Sequence, residues 1–198
     1  MKNSPEFYGE DYLNIEIGGA GGAKRNEDNG AYYQAAVFVR EFLDFKEYQA
    51  PRTLDVGCGL GFVVRHLRNL NVDAHGVEYG FWTVDHAVVP GILWADLTIR
   101  LPFPSESFDL VSCCGVLSQF PEEFSEGALR ELARVSRRFV WVNIQCEEHE
   151  LQRHHRNIKP KEFWFDLFEK TGLRIVEEEF LLANYYRVPS RCCRILEK

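Results

Sequence analysis

From Ala31 onward the chain repeats one pattern: a short apolar run, a turn rich in glycine or proline, then apolar residues at three- and four-residue steps. Ala31, Ala35, Phe38, Phe42 and Phe45 keep helical spacing until Pro51 interrupts it. RTLDV then reads as a short buried strand running directly into GCGLG. FVVRHLRNL follows as a helix, with Val63, Val64 and Leu67 on one face and Asn71 as its stop. The alternation continues with a strand in VDAHGVE, a short helix from Phe81 to Ala87, and strands in GILWAD and FDLVSCC. Pro121 opens a helix through EEFSEGALRELARVSRR that turns Leu129, Leu132 and Val135 inward, and RFVWVNI is a fifth strand. Pro160 and Gly172 bracket a helix in KEFWFDLFEKT, proline at the start and glycine past the end. LRIVEEEFLL and CCRILEK close the chain as two strands with no helix between them.

Alternating strands and helices predict an α/β fold, a Rossmann-like doubly wound sheet of seven strands, covered on both faces. The sheet is expected to be mostly parallel, with the last two strands as an antiparallel hairpin. Residues 1–30 form a polar leader rich in glycine and aromatic residues, and residues 31–198 a single domain. Composition adds little, since 45% hydrophobic and 27% charged residues are ordinary globular usage. The net charge of -7 argues against nucleic acid as partner. MKNSPEFYGEDYL lacks the apolar run of a signal peptide or anchor, and no segment is long enough to span a membrane, so a cytoplasmic protein is expected. Six cysteines in no CxxC arrangement fit free thiols better than a disulfide framework or a zinc site.

The chemistry gathers where strands run into helices, the ligand-binding end of an open α/β sheet. Asp55-Val56-Gly57-Cys58-Gly59-Leu60-Gly61 is a strand-to-helix turn in which missing side chains let a ligand approach the backbone. A glycine-rich turn alone also serves nucleotide dehydrogenases. Glu78 ends the second strand, where a carboxylate can accept from the vicinal hydroxyls of a ribose. Asp96, past the third strand, can accept from the exocyclic amine of an adenine while the N–H of Leu97 donates to the ring. Taken singly, Asp96 would equally serve as a turn cap.

Together, LDVGCGLG, the acid in GVEYG, and ADLTIRLPFPSESFDLVSCCGVL resemble the successive motifs of class I methyltransferases dependent on S-adenosylmethionine (SAM). The resemblance runs from Arg52 to Ile144. It implies SAM as cofactor, S-adenosylhomocysteine as product, and the terminal hairpin already inferred from pattern. Asp55, which the dehydrogenase fingerprint lacks, would lie near the methionine end of SAM with Gly57, Cys58, Gly59 and Gly61. Glu78 would hold the ribose, Tyr79 would pack on the adenine, and Asp96 and Leu97 would read the base. Cys114 and Gly115 would lie beside the sulfonium, and Cys58 would serve as a small buried residue rather than a nucleophile.

The implied reaction is methyl transfer to a small polar acceptor, such as a sugar, glycan or related metabolite, on oxygen. Val116-Leu117-Ser118-Gln119-Phe120, where many relatives carry an acid or histidine, contains neither. His155, with His154 beside it in QRHHRNIKPKEFW, therefore becomes the candidate general base, and Trp164 a candidate pocket wall. That stretch resembles a segment of small bacterial methyltransferases acting on sugars; a loop with two solvated histidines is the alternative. Cys146, Glu147, Glu148, His149, His154 and His155 are metal-ligand types, but their spacing fits no zinc pattern, and no metal is expected. The leader, with Tyr8, Tyr12, Tyr32 and Tyr33, is expected either to close over the cofactor as a lid or to remain a loose terminus. Two other functions stay open at this point: a SAM-binding module without catalysis, and a nicotinamide-dependent oxidoreductase.

Overall fold

A computed structural model describes residues 4–13, 27–28, 30–146, 156–176 and 191–198. His154 and His155, and the candidate ligands from Glu147 to His149, lie outside the described residues. The described residues divide into two compact units, one ending at Asp96 and the other beginning at Leu97.

In the first unit, a 3-10 turn at Pro5–Tyr8 and a short helix α1 (Glu10–Leu13) precede helix α2 (Gly30–Phe45). Strands β1 (Arg52–Val56), β2 (Asp73–Glu78) and β3 (Ile92–Trp94) follow, separated by helices α3 (Phe62–Asn69) and α4 (Phe81–Asp85). They pair in parallel in the order β3-β2-β1, with Val56 opposite Val77 and Glu78 opposite Trp94. β1 is buried over its last four residues, polar Thr53 and Asp55 included, as a strand in a doubly covered sheet should be. Asn71 ends the α3 segment with φ +58, a left-handed conformation that asparagine tolerates. The buried face of α3 is Phe62, Val64 and Leu67; Val63 is only half-buried, so the apolar stripe sits one residue earlier than the spacing suggests.

Gly76 shows how tightly this unit is layered. A Cβ there would lie 2.6 Å from Ile92 Cδ1, 2.8 Å from Cys58 Sγ and 3.1 Å from Val64 Cγ2. Glycine in β2 is what lets the turn after β1 and the start of α3 sit on the sheet. Gly76→Ala should overpack this junction and lower stability by about 1–3 kcal/mol in denaturant unfolding; a neutral outcome would mean the layer is looser than its spacing.

The second unit holds β4 (Phe108–Cys114), helix α5 (Ser125–Val135) after a 3-10 turn at Glu122–Phe124, and β5 (Ser136–Gln145). Helix α6 (Lys161–Lys170), β6 (Arg174–Ile175) and β7 (Arg191–Glu197) complete it. The order is β4-β5-β7-β6, and β7 is antiparallel to both its neighbours. The seven strands make the mostly parallel, mixed sheet of a Rossmann-like α/β fold. The terminal hairpin is more than an edge ornament: β7 pairs along its whole length with β5, and the short β6 lies outside it.

The helix read through SRR stops sooner, at Val135. Ser136, Arg137 and Arg138 open β5 instead, because each finds a partner there. Ser136 Oγ donates to Phe139 O at 2.9 Å, Arg137 reaches Asp109 at 3.0 Å, and Arg138 pairs with Glu197 at 2.8 Å. The proline-rich turn before β4 is tied to α5. Leu101 N–H donates to Glu131 at 2.6 Å, and Arg134 donates to Glu131, Phe103 O and Leu101 O at 2.6–3.2 Å.

Candidate functional site

The turn after β1 folds back on the end of β2. Gly57 and Cys58 N–H both donate to Val77 O, at 2.9 and 3.1 Å. Gly57, Gly59 and Gly61 have φ of +74, +56 and +84. Gly61 caps α3 in a left-handed conformation where a Cβ would also crowd Val89 at 3.0 Å, so glycine is required there on two grounds. Over Gly59 a Cβ would meet nothing within 4 Å, so the backbone of this turn faces open space. Cys58 turns its sulfur the other way, toward Gly76. Burial, with the charges of Asp55 and Glu78, pushes its thiol well above the ordinary range. It is a packing residue and an unreactive one.

Glu78 is the organising side chain. Its Oε2 accepts from Gly59 N–H at 2.9 Å, and its Oε1 from Tyr79 and Gly80 N–H at 2.7 and 3.0 Å. A carboxylate has about four acceptor positions, so these bonds leave capacity on Oε2. The residue is buried, and burial raises its pKa even though the three N–H groups pull the other way. Asp55, on β1, and Asp96, past β3, are also buried. The phenol of Tyr79 is held above its usual range by burial and by the charges of Asp96 and Glu6. Asp55, the glycine turn, Glu78, Tyr79 and Asp96 all belong to this unit; Leu97, which opens the other, is buried as well.

Sequence reasoning missed the aromatic neighbours of Tyr79. Trp94 Nε1 donates to Tyr79 O at 2.8 Å, and its ring stacks on Phe81 with centroids 5.4 Å apart. Tyr8 meets Tyr79 edge-on at 5.9 Å, and Thr83 Oγ1 donates to Tyr8 O at 2.6 Å. Gly80 makes that approach possible, since a Cβ there would lie 2.7 Å from Tyr8 O. The other leader tyrosines divide differently. Tyr12 is buried with Leu13, Leu60 and Phe62, and Tyr32 stacks on Phe62, so both serve packing. Tyr33 stands half-exposed beside His66.

In the second unit, Cys114 ends β4 opposite Asn143, and Gly115 N–H donates to Asn143 O at 2.7 Å. Gly115 has φ +73 with open space where a Cβ would stand. Gln119 Nε2 donates back to Gly115 O. Ser118 O accepts from Arg156 and Asn157 N–H at 2.8 and 3.0 Å, and Asn157 Nδ2 donates to Ser125 Oγ at 2.8 Å. The loop after β4, which lacks an acid or histidine, is thus the docking point for the residues that immediately follow His155. Trp164 is fully buried and cannot line a pocket, which corrects the expectation that it forms a pocket wall.

The family described as methyltransferase domain matches residues 54–140. No curated protein matches the chain. Among solved structures, a SAM-dependent methyltransferase from Archaeoglobus fulgidus is similar at 15% identity and a TM-score of 0.64, covering 85% of this chain and 95% of that one. Magnesium protoporphyrin IX methyltransferase from Synechocystis PCC 6803, with bound S-adenosylhomocysteine, is 17% identical with a TM-score of 0.62, over 87% and 88% of the two chains. A methyltransferase in complex with the Trm112 activator from Haloferax volcanii is 15% identical with a TM-score of 0.60, over 86% and 99%. At these identities the structural likeness is one of fold.

Proposed function

We propose that the chain is a class I SAM-dependent methyltransferase that methylates an oxygen of a small, hydroxylated metabolite or glycan. The cofactor supplies a methyl group already activated on a cationic sulfur. The residues present suit it. Open space over Gly59 gives it backbone to lie against, and the spare acceptor position of buried Glu78 suits a ribose hydroxyl. In this reading Asp55 and the Gly57–Gly61 turn take the methionine end, while Asp96 and Leu97 N–H read the adenine. Tyr79 covers the base, and Cys114 and Gly115 flank the reacting sulfur. Tyr8 extends the aromatic wall from the leader, which closes the adenosyl end as a lid.

The chain's own work is then to align the acceptor oxygen, exclude water and take the hydroxyl proton. We assign that last role to His155. The observation that carries it is the pair of bonds from Arg156 and Asn157 N–H to Ser118 O, which ties the next residues in sequence to the loop after β4. As the hydroxyl oxygen gains the methyl group, its proton passes to the imidazole and from there to solvent. His155→Ala should lower kcat tenfold or more while SAM affinity, read by calorimetry, stays within twofold; His154→Ala should leave both within twofold.

The acceptor class is tested by incubating the chain and an extract with methyl-labelled SAM, then separating small molecules from macromolecules. Label in hydroxylated small molecules supports the reading. Label confined to protein or RNA, or SAM binding with no transfer to any fraction, overturns it. Among the described residues no helix is long and apolar enough to cross a membrane, and we place the reaction in the cytoplasm.

A further inference from the structure

The end of β5 and the start of β7 bring together thiols that methyl transfer does not use. Their antiparallel register sets Ile144 opposite Cys192 and Asn143 opposite Cys193. Side chains alternate along a strand, so Cys146, two residues past Ile144, shares the Cys192 side of the sheet and lies diagonal to it. Cys193 faces the other way with Asn143. Cys146 is partly exposed and Cys192 is fully buried. The neighbouring Cys146 thiol, with burial, keeps Cys192 protonated far above the ordinary thiol range. Cys146 Sγ also lies 3.5 Å from Ile144 O. Cys146 follows the last residue of β5, outside the ladder, so its backbone has room to complete disulfide geometry.

We propose that Cys146 and Cys192 form an oxidation site at which a hydroperoxide converts the pair into an intramolecular disulfide. The accessible sulfur of Cys146 attacks one peroxide oxygen. The O–O bond breaks, the thiol proton leaves with the departing oxygen as water or alcohol, and Cys146 becomes a sulfenic acid. Cys192 then attacks that sulfur; the S–S bond forms, the S–O bond breaks, and hydroxide leaves with the Cys192 proton as water. The two sulfurs together lose two electrons, and the peroxide gains them. Cys193, on the opposite face, takes no part. The link closes a loop that contains α6, and it forms at the strand end where α/β sheets hold ligands.

The test uses the full chain treated with hydrogen peroxide, then intact mass and non-reducing peptide mapping. The expected product has lost two hydrogens, carries one disulfide between the peptides of Cys146 and Cys192, and reverts with dithiothreitol. Cys146→Ser and Cys192→Ser should each abolish the link, and Cys193→Ser should keep it. Should Cys192→Ser not fold, the map of the unaltered chain and Cys146→Ser still decide. A disulfide through Cys193, Cys113 or Cys114, or oxidation of Cys146 to the sulfinic acid without any link, overturns the proposal. None of these readouts depends on SAM or on the acceptor.

Discussion

Glu78→Ala is expected to weaken SAM binding by tenfold or more in calorimetric titration, while the chain still folds. In the proposed complex the remaining acceptor position on Oε2 takes a ribose hydroxyl, and a hydrogen bond to a charged group is worth about 1.5–3 kcal/mol. That is roughly tenfold to a hundredfold in affinity. The variant also strands the N–H groups of Gly59, Tyr79 and Gly80, which now converge on the carboxylate. The turn that receives the cofactor therefore loosens as well. Glu78→Gln separates these effects, keeping the shape but replacing one acceptor with a donor that faces those N–H groups. Both variants binding SAM as tightly as the parent chain would remove Glu78 from the site.

The same residue sets a pH dependence with two opposed signs. Burial raises the Glu78 pKa in the folded chain. An acid with a raised folded pKa adds stability below its unfolded pKa, and that contribution is lost as pH rises through the folded value. At neutral pH the free protein therefore bears the cost of keeping this carboxylate ionised. Binding runs the other way, because the ionised form accepts from the ribose hydroxyl and the protonated form loses an acceptor. SAM affinity should fall on acidification, beginning above the ordinary glutamate range, and Glu78→Gln should abolish that slope.

Much of this site is legible in the sequence because it is made by local rules. A strand buried on both faces reads as a continuous apolar run, a turn with φ above zero demands glycine, and an acid closing the next strand stands out against its apolar neighbours. Gly57, Gly59, Gly61 and Glu78 stand out this way, and Asp55 through the motif that its strand end resembles. What the sequence hides is pairing across distance. The Arg137–Asp109 and Arg138–Glu197 contacts turn an expected helix end into the start of β5, and neither partner is near in sequence. Gly76 carries no turn signal; its role is visible only when Ile92, Cys58 and Val64 converge on it. The Tyr8–Tyr79 contact joins the leader to the end of β2, and no periodicity links the two. Ser118 looks inert in a loop without acid or histidine until the N–H groups of Arg156 and Asn157 are seen to meet its carbonyl.

Trp164 shows the reverse error, in which a conspicuous residue suggests a site and proves to be core. It lies in the first turns of α6, fully buried, with Phe163 packed edge-on at 5.3 Å. Trp164→Ala should therefore destabilise the chain by about 3–5 kcal/mol, the usual cost of emptying a buried aromatic position. Because domain stabilities are only about 5–15 kcal/mol, thermal unfolding should show a large downward shift. The indole Nε1 is buried without a hydrogen-bond partner, and a stranded donor of that kind costs about 1–3 kcal/mol. Trp164→Phe removes the donor along with part of the volume, so the two changes oppose each other, and its loss should be no more than about half that of alanine. The functional consequence follows the chain. Trp164 anchors the start of α6, seven residues after Asn157, whose bonds to Ser118 and Ser125 hold the connector against the loop after β4. Loosening the helix frees that connector, so Trp164→Ala should lower methyl transfer at temperatures where the chain remains folded, with SAM affinity little changed. Turnover that stays at the parent level under those conditions would separate the connector from the chemistry and leave His155 without its structural support.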